Sequence, residues 1–196
     1  MDLNEKYVDP AESNGVKVPV KNTEKSIPNK IKEALVLPTC MNINPRSIYN
    51  KIQEFITLVQ EENIQCVFLS ESFERPEFDL SRLIQMEDYT VISNPHQRLG
   101  KGGRPALLIN TKYFHVRNLT NTILQIPWGC EATWALLTPK NVSSSSKIQK
   151  IVLCSMYSKP DSRMKTRLLD HISQSYNILS SKYQTGLHFI LAGDTN

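Results

Sequence analysis

Six polar residues in this chain sit where a sheet protein presents chemistry. Asn42 and Asn44 lie at the end of an apolar run, and Glu71 directly follows another, QCVFLS. Tyr157 ends IVLCSMY, while Asp194 and Asn196 follow HFILA. Runs that end in carboxylates, amides or a phenol point to a site along one edge of a sheet. Two acids and three amides, without histidine or cysteine at a ligand spacing, suit a hard, oxygen-loving cation such as Mg²⁺, with Mn²⁺ as a substitute. A cation of that kind favours phosphate-ester chemistry, because it neutralises phosphoryl charge. Taken singly, each residue has a plainer reading. Asn44-Pro45 and Gly193-Asp194 are turn pairs, Glu71 a solvated loop residue, and Tyr157 an aromatic at the core's edge.

The elements that must position these residues follow from periodicity. Ala34 to Asn42 is short and apolar enough for a strand, although Pro38 argues against a central one. Ser47 can cap a helix whose apolar positions are Ile48, Ile52, Phe55, Ile56 and Val59, spaced by three and four. QCVFLS (65–70) then reads as a buried strand, completing a first α/β unit. Short strands are expected at 89–93, 105–109, 115–119 and 131–138, and buried ones at 151–157 and 187–192. Residues 162–182 show an amphipathic stripe of Met164, Leu168, Ile172, Tyr176 and Leu179, ended by Gly186. Lys140 to Lys150 reads as a solvated hairpin loop. Residues 1–33 carry both charge signs and no sustained period, so a flexible leader is expected ahead of a domain at 34–196. Strands and helices in this mixed order predict a layered α/β sandwich.

Composition narrows the class. With 40% hydrophobic and 21% charged residues, the 196-residue chain is neither disordered throughout nor fibrous. No run of about 18 apolar residues occurs, so no membrane span is expected. The N-terminus lacks the pattern of a secretory signal. Four cysteines at 40, 66, 130 and 154 show neither zinc-ligand nor disulfide-framework spacing, which predicts reduced thiols and an intracellular setting. A net charge of +4 permits nucleic-acid contact without demanding it.

Four motifs carry a more specific signal. NPRSIYNK (44–51), LSES (69–72), SMYSKP (155–160) and AGDTN (192–196) resemble, in order, the motifs of the endonuclease/exonuclease/phosphatase superfamily. The resemblance is closest to the apurinic-endonuclease-like domain of non-LTR retrotransposon polyproteins. Arg98 and the run Gly102 to Leu107 resemble the glycine-rich hairpin and strand of those proteins. The resemblance covers residue 36 to the end, and it implies a four-layered α/β sandwich of two mixed sheets flanked by helices, incomplete at the C-terminus. It implies that Glu71 binds Mg²⁺, that Asn44 helps hold metal and scissile phosphate, and that Asn42 is the fallback if the register differs by two. It further implies that Tyr157 touches the phosphate or the leaving oxygen, Asp194 orients the attacking water, and Asn196 stabilises developing charge. The implied substrate is the phosphate backbone of duplex DNA, nicked in a nuclear setting by a domain fused to a reverse transcriptase.

One departure is that the superfamily's later aspartate and its Ser/Asp-Asp-His motif do not occur in residues 1–196. The 196-residue chain is therefore expected to be inactive alone, since a lost general base costs about 10²–10⁴-fold. His188 precedes Asp194 and cannot replace that histidine by order, and His171 is expected at a helix surface. Arg98, Lys101 and Arg104 read either as DNA-backbone contacts or as a solvated loop. Trp128 and Trp134 read as core or hairpin packing. Two other functions stay open: a phosphatase of the same superfamily, and a degenerate nucleic-acid-binding module indifferent to Mg²⁺.

Overall fold

The computed structural model describes residues 37–72, 79–93, 103–140, 149–184 and 186–195. These lie within the compact unit Glu33–Asn196. The expected leader (1–33), most of the loop after Lys140, and the residues Arg98, Lys101 and Asn196 lie outside the described residues.

Among the described residues, eight strands form two mixed sheets. In the first, β1 (Cys40–Ile43) runs parallel to β2 (Cys66–Leu69). There β4 (Ala106–Asn110) is antiparallel to both β2 and β3 (Tyr89–Ile92), giving the order β1-β2-β4-β3. In the second, β5 (Phe114–Asn118), β6 (Glu131–Pro139) and β7 (Lys150–Tyr157) form an antiparallel meander. β8 (Leu187–Asp194) joins β7 in parallel. The expected strands are present, most with bounds shifted by a residue or two. Pro38 precedes β1, which lies at a sheet edge, as a residue without an N–H requires.

Strand alternation builds the layers. Cys66, Phe68, Leu107 and Ile109 of the first sheet pack with Ala135, Leu137, Ile151 and Leu153 of the second, so this core lies between the sheets. The opposite parity faces the helices. Val67, Leu69 and Leu108 pack with Phe55 and Val59 of α1 (Ile52–Glu61) and Leu80 of α2 (Leu80–Leu83). Trp134, Leu136, Val152 and Cys154 pack with Leu168 and Leu179 of α3 (Ser162–Tyr183). The result is the expected four-layered α/β sandwich. No helix among the described residues is long and apolar enough to cross a membrane.

Four local expectations are corrected. Ser47 caps no helix: a single 3-10 turn (Tyr49–Lys51) leads into α1, and no capping side chain bonds either start. The periodicity offered no sign of α2, a four-residue helix whose N-cap Asp79 accepts from Ser81 N. His171 is buried, 3% exposed, and accepts a 3.1 Å hydrogen bond from Trp134 Nε1. The stripe that α3 buries includes Leu168, His171, Ser175 and Leu179, because the indole N–H under the helix needs an acceptor and Ser175 is small. Tyr176 is pushed outward to 53% exposure, where its ring still meets Phe189 at 4.9 Å. Trp128 is 83% exposed, whereas Trp134 is fully buried.

Candidate active site between the sheet ends

Residues that face the space between the sheets become more polar toward one end. On β7 the sequence of inward positions is Ile151, Leu153, Ser155, Tyr157; on β6, read back along the strand, it is Leu137, Ala135, Thr133, Glu131. On β8 it is Ile190, Ala192, Asp194. Ladder register aligns the last members, Glu131 opposite Tyr157 and Tyr157 opposite Asp194. Two carboxylates and a phenol therefore form one row where the apolar core ends. The step before them is held by hydroxyls: Ser155 Oγ donates to Leu69 O at 2.9 Å, and Thr133 Oγ1 donates to Pro105 O at 2.7 Å. Both bonds cross to the first sheet or the segment leading into it, which fixes the spacing of the two sheets at this end.

The first sheet supplies the opposing wall. Parallel pairing of Ile43 with Leu69 brings the ends of β1 and β2 together. Ser70 N then donates to Ile43 O (3.2 Å), and Ser47 N to Glu71 O (3.1 Å). Arg46 and Ser47 take positive φ (49° and 90°), and Asn44 Oδ1 accepts from Arg46 N at 3.1 Å in the Asx manner that suits an Asn-Pro turn. Lys51 Nζ donates to Pro45 O at 2.8 Å. Ser47 thus serves the site through its backbone.

The walls meet through side chains. Asn44 Nδ2 donates to Asp194 Oδ2 at 2.8 Å. The Tyr157 hydroxyl hydrogen-bonds the Glu71 carboxylate. Burial first, then that bond, then the negative charges of Glu71, Glu131 and Asp194 push the Tyr157 phenol up to about 12. Asn44, Glu71, Tyr157 and Asp194 are therefore brought together. Asn42 is exposed within β1, opposite Phe68, so the end-to-end register uses Asn44. Arg104 is half-buried at the site's margin instead of forming part of a solvated loop. Its N–H donates to Glu131 Oε2 (2.7 Å), its carbonyl accepts from Ser72 Oγ (2.6 Å), and its buried Nη1 has no hydrogen-bond partner.

Glu131 was not singled out from the sequence. It is 5% exposed, and a Cβ on Gly103 would collide with its carboxylate. Its parity with Thr133, Ala135 and Leu137 was a legible signal, because it marks an acid on the core-facing side of a strand. Close packing also explains Gly193, whose φ is 154° and whose added Cβ would strike Met156 O. All the donors facing the cleft are oxygens or amides. Among the described residues no three Asp, Glu, His or Cys side chains form a metal-binding group.

No protein-family model and no curated protein matches the chain. Solved structures do. A mannosyl-6-phosphatase of Bacteroides thetaiotaomicron is 14% identical, with a TM-score of 0.57 over 80% of this chain and 64% of its own. A 3'-5' exonuclease of Neisseria meningitidis is 11% identical, with a TM-score of 0.51 over 80% and 57%. The endonuclease domain of TRAS1, a telomere-specific non-LTR retrotransposon, is 12% identical, with a TM-score of 0.50 over 79% and 56%. The chain spans between 56% and 64% of the length of these three structures. The chain shares the fold of these three structures.

Proposed function

We propose that this chain carries a phosphodiester-hydrolysing site of the endonuclease kind, which uses Mg²⁺ and nicks duplex DNA. The observation that carries the reading is the meeting of Asn44 with Asp194 and of Tyr157 with Glu71 across the two sheet ends. The oxygen-only donor set fits Mg²⁺, which binds through one or two carboxylates, substrate phosphate and retained waters. Glu71 and Asn44 would hold the ion, and the ion would supply neutralisation of the phosphoryl charge. The chain's own residues do the rest. Asp194, fixed by the Asn44 amide, orients the attacking water. Tyr157 stays a neutral donor far above physiological pH, so it can bond a phosphate or leaving oxygen without adding negative charge. Glu131 holds the Arg104 backbone beside them. Asn196 takes the charge-stabilising role that the resemblance implies.

A parent protein with a fused reverse transcriptase and a nuclear location belongs to the same proposal, supported by the order of the motifs and by the likeness to the TRAS1 domain. A phosphatase is the second reading, supported by the higher TM-score of the mannosyl-6-phosphatase. The test is supercoiled-plasmid nicking beside inorganic-phosphate release, with Mg²⁺ or EDTA. It is run on the 196-residue chain and on any longer product of its coding sequence. We expect Mg²⁺-dependent nicking by a longer product, lost in Glu71→Gln and Asp194→Asn, and none by the 196-residue chain, which lacks a Ser/Asp-Asp-His motif. Phosphate release without nicking selects the phosphatase. Nicking that survives both substitutions overturns the site.

A further inference from the structure

The loop between β5 and β6 ends in a turn built to present one side chain. Cys130 N donates to Pro127 O at 3.1 Å, closing a four-residue turn, and Gly129 at its third position has a φ of 84°. Those are the marks of a type II turn, in which that position favours glycine. A Cβ on Gly129 would come within 3.2 Å of Met164 Sδ, so the turn lies tight against the start of α3. Trp128 occupies the tip and is 83% exposed. A tight turn seated on a helix holds an indole in the open at small entropic cost, since only two side-chain torsions remain.

Its place in the fold gives that exposure a use. Trp128 is three residues from Glu131, which lies opposite Tyr157 in the ladder. Three residues reach at most about 10–11 Å, or roughly three base steps of a nucleic-acid strand. The surroundings are basic. Arg167 acts electrostatically on the Cys130 thiol, and Arg163 lies one helical turn away with its side chain 89% exposed. Residues 159–170 carry four basic side chains, Lys159, Arg163, Lys165 and Arg167, against two acidic ones. Those acids are Asp161, 3.8 Å from Arg163, and Asp170, which also acts on Cys130. An isolated exposed tryptophan needs no explanation by itself. One held on a tight turn, beside guanidinium groups and within a few nucleotides of a phosphodiester site, matches how proteins take hold of nucleic acid by stacking plus phosphate contacts.

We propose that Trp128 stacks on an unpaired DNA base flanking the scissile phosphate, while Arg163 and Arg167 pair with neighbouring phosphates. The proposal rests on the phosphodiester reading of the cleft, and its test reads binding, not turnover. Trp128 and Trp134 are the chain's two tryptophans, and Trp134 is fully buried, so fluorescence separates them. The full chain is titrated in EDTA with a duplex oligonucleotide carrying one unpaired base. We expect quenching of the solvent-exposed emission and weakening of binding by about 10- to 100-fold in Trp128→Ala, partly restored in Trp128→Phe. Trp134 emission reports that the variants remain folded. Arg163→Gln and Arg167→Gln should each flatten the salt dependence of binding. Unquenched Trp128 at saturation, equal affinity of Trp128→Ala, or no binding by the natural chain overturns the proposal. If Trp128 is quenched while no product of the gene hydrolyses plasmid or phosphomonoester, the stacking site stands and the hydrolase reading falls.

Discussion

Asn44 and Asp194 are 150 residues apart in sequence and 2.8 Å apart in space, joined by an amide N–H on the first sheet's rim and a carboxylate on the second's. Asn44 Oδ1 is spent on its own turn, accepting from Arg46 N. The pair therefore reports directly on whether the two sheets close at this end. A double-mutant cycle with Asn44→Ala and Asp194→Ala, read by chemical denaturation, should show a coupling of about 0.5–1.5 kcal/mol. Additive single effects would mean that the rims do not meet.

Tyr157 gives the pH signature of the cluster. Its phenol is raised from an ordinary value of 10.0 to about 12, so the folded chain holds a proton that the unfolded chain releases. That contribution to stability is fully present below pH 10 and is lost as pH rises through about 12. Tyr157→Phe should flatten stability against pH in that window. Glu71→Gln should bring the phenol back toward its ordinary range, as followed by tyrosine-ring NMR through the titration. A Tyr157 signal unmoved by Glu71→Gln would place the two groups apart.

The frame of this fold was legible because strand alternation and turn residues carry it. QCVFLS and IVLCSMY announce buried strands by length and branching, and the polar residue ending each one is readable as it stands. What was not legible depended on pairing. Glu131 joins the site only because β6 runs antiparallel to β7 with Glu131 opposite Tyr157, a register no single strand encodes. His171 was misplaced because hydrophobicity favours Ile172 and Tyr176, whereas the buried face of α3 is chosen by the Trp134 N–H beneath it, which donates to His171. Trp128 defied its own apolarity because a turn holds it out.

The buried imidazole yields a second pH prediction. Burial holds His171 below its ordinary value of 6.5, so the unfolded chain takes up a proton first as pH falls. The stability conferred by the neutral ring is fully present above pH 6.5 and is lost as pH falls through the folded value. His171→Gln cannot titrate and still offers an oxygen to Trp134 Nε1. The difference in denaturation midpoint between natural chain and variant should shrink between pH 8 and pH 5, because the shared carboxylates cancel. A constant difference would show that His171 does not titrate with folding.

Gly193 separates backbone strain from side-chain chemistry immediately beside the site. At φ 154° an added methyl group would strike the Met156 carbonyl, and that oxygen cannot yield without parting β8 from β7. Gly129, at φ 84°, faces only the flexible end of Met164. Both alanine variants incur strain of about 1–3 kcal/mol from the positive φ. Gly193→Ala should sit at the upper end or beyond, and it should also abolish the Asn44–Asp194 coupling, because Asp194 moves with the strand. Gly129→Ala should leave that coupling intact. Equal melting temperatures for the two variants, or a coupling preserved in Gly193→Ala, would contradict the close parallel pairing that sets Asp194 opposite Tyr157.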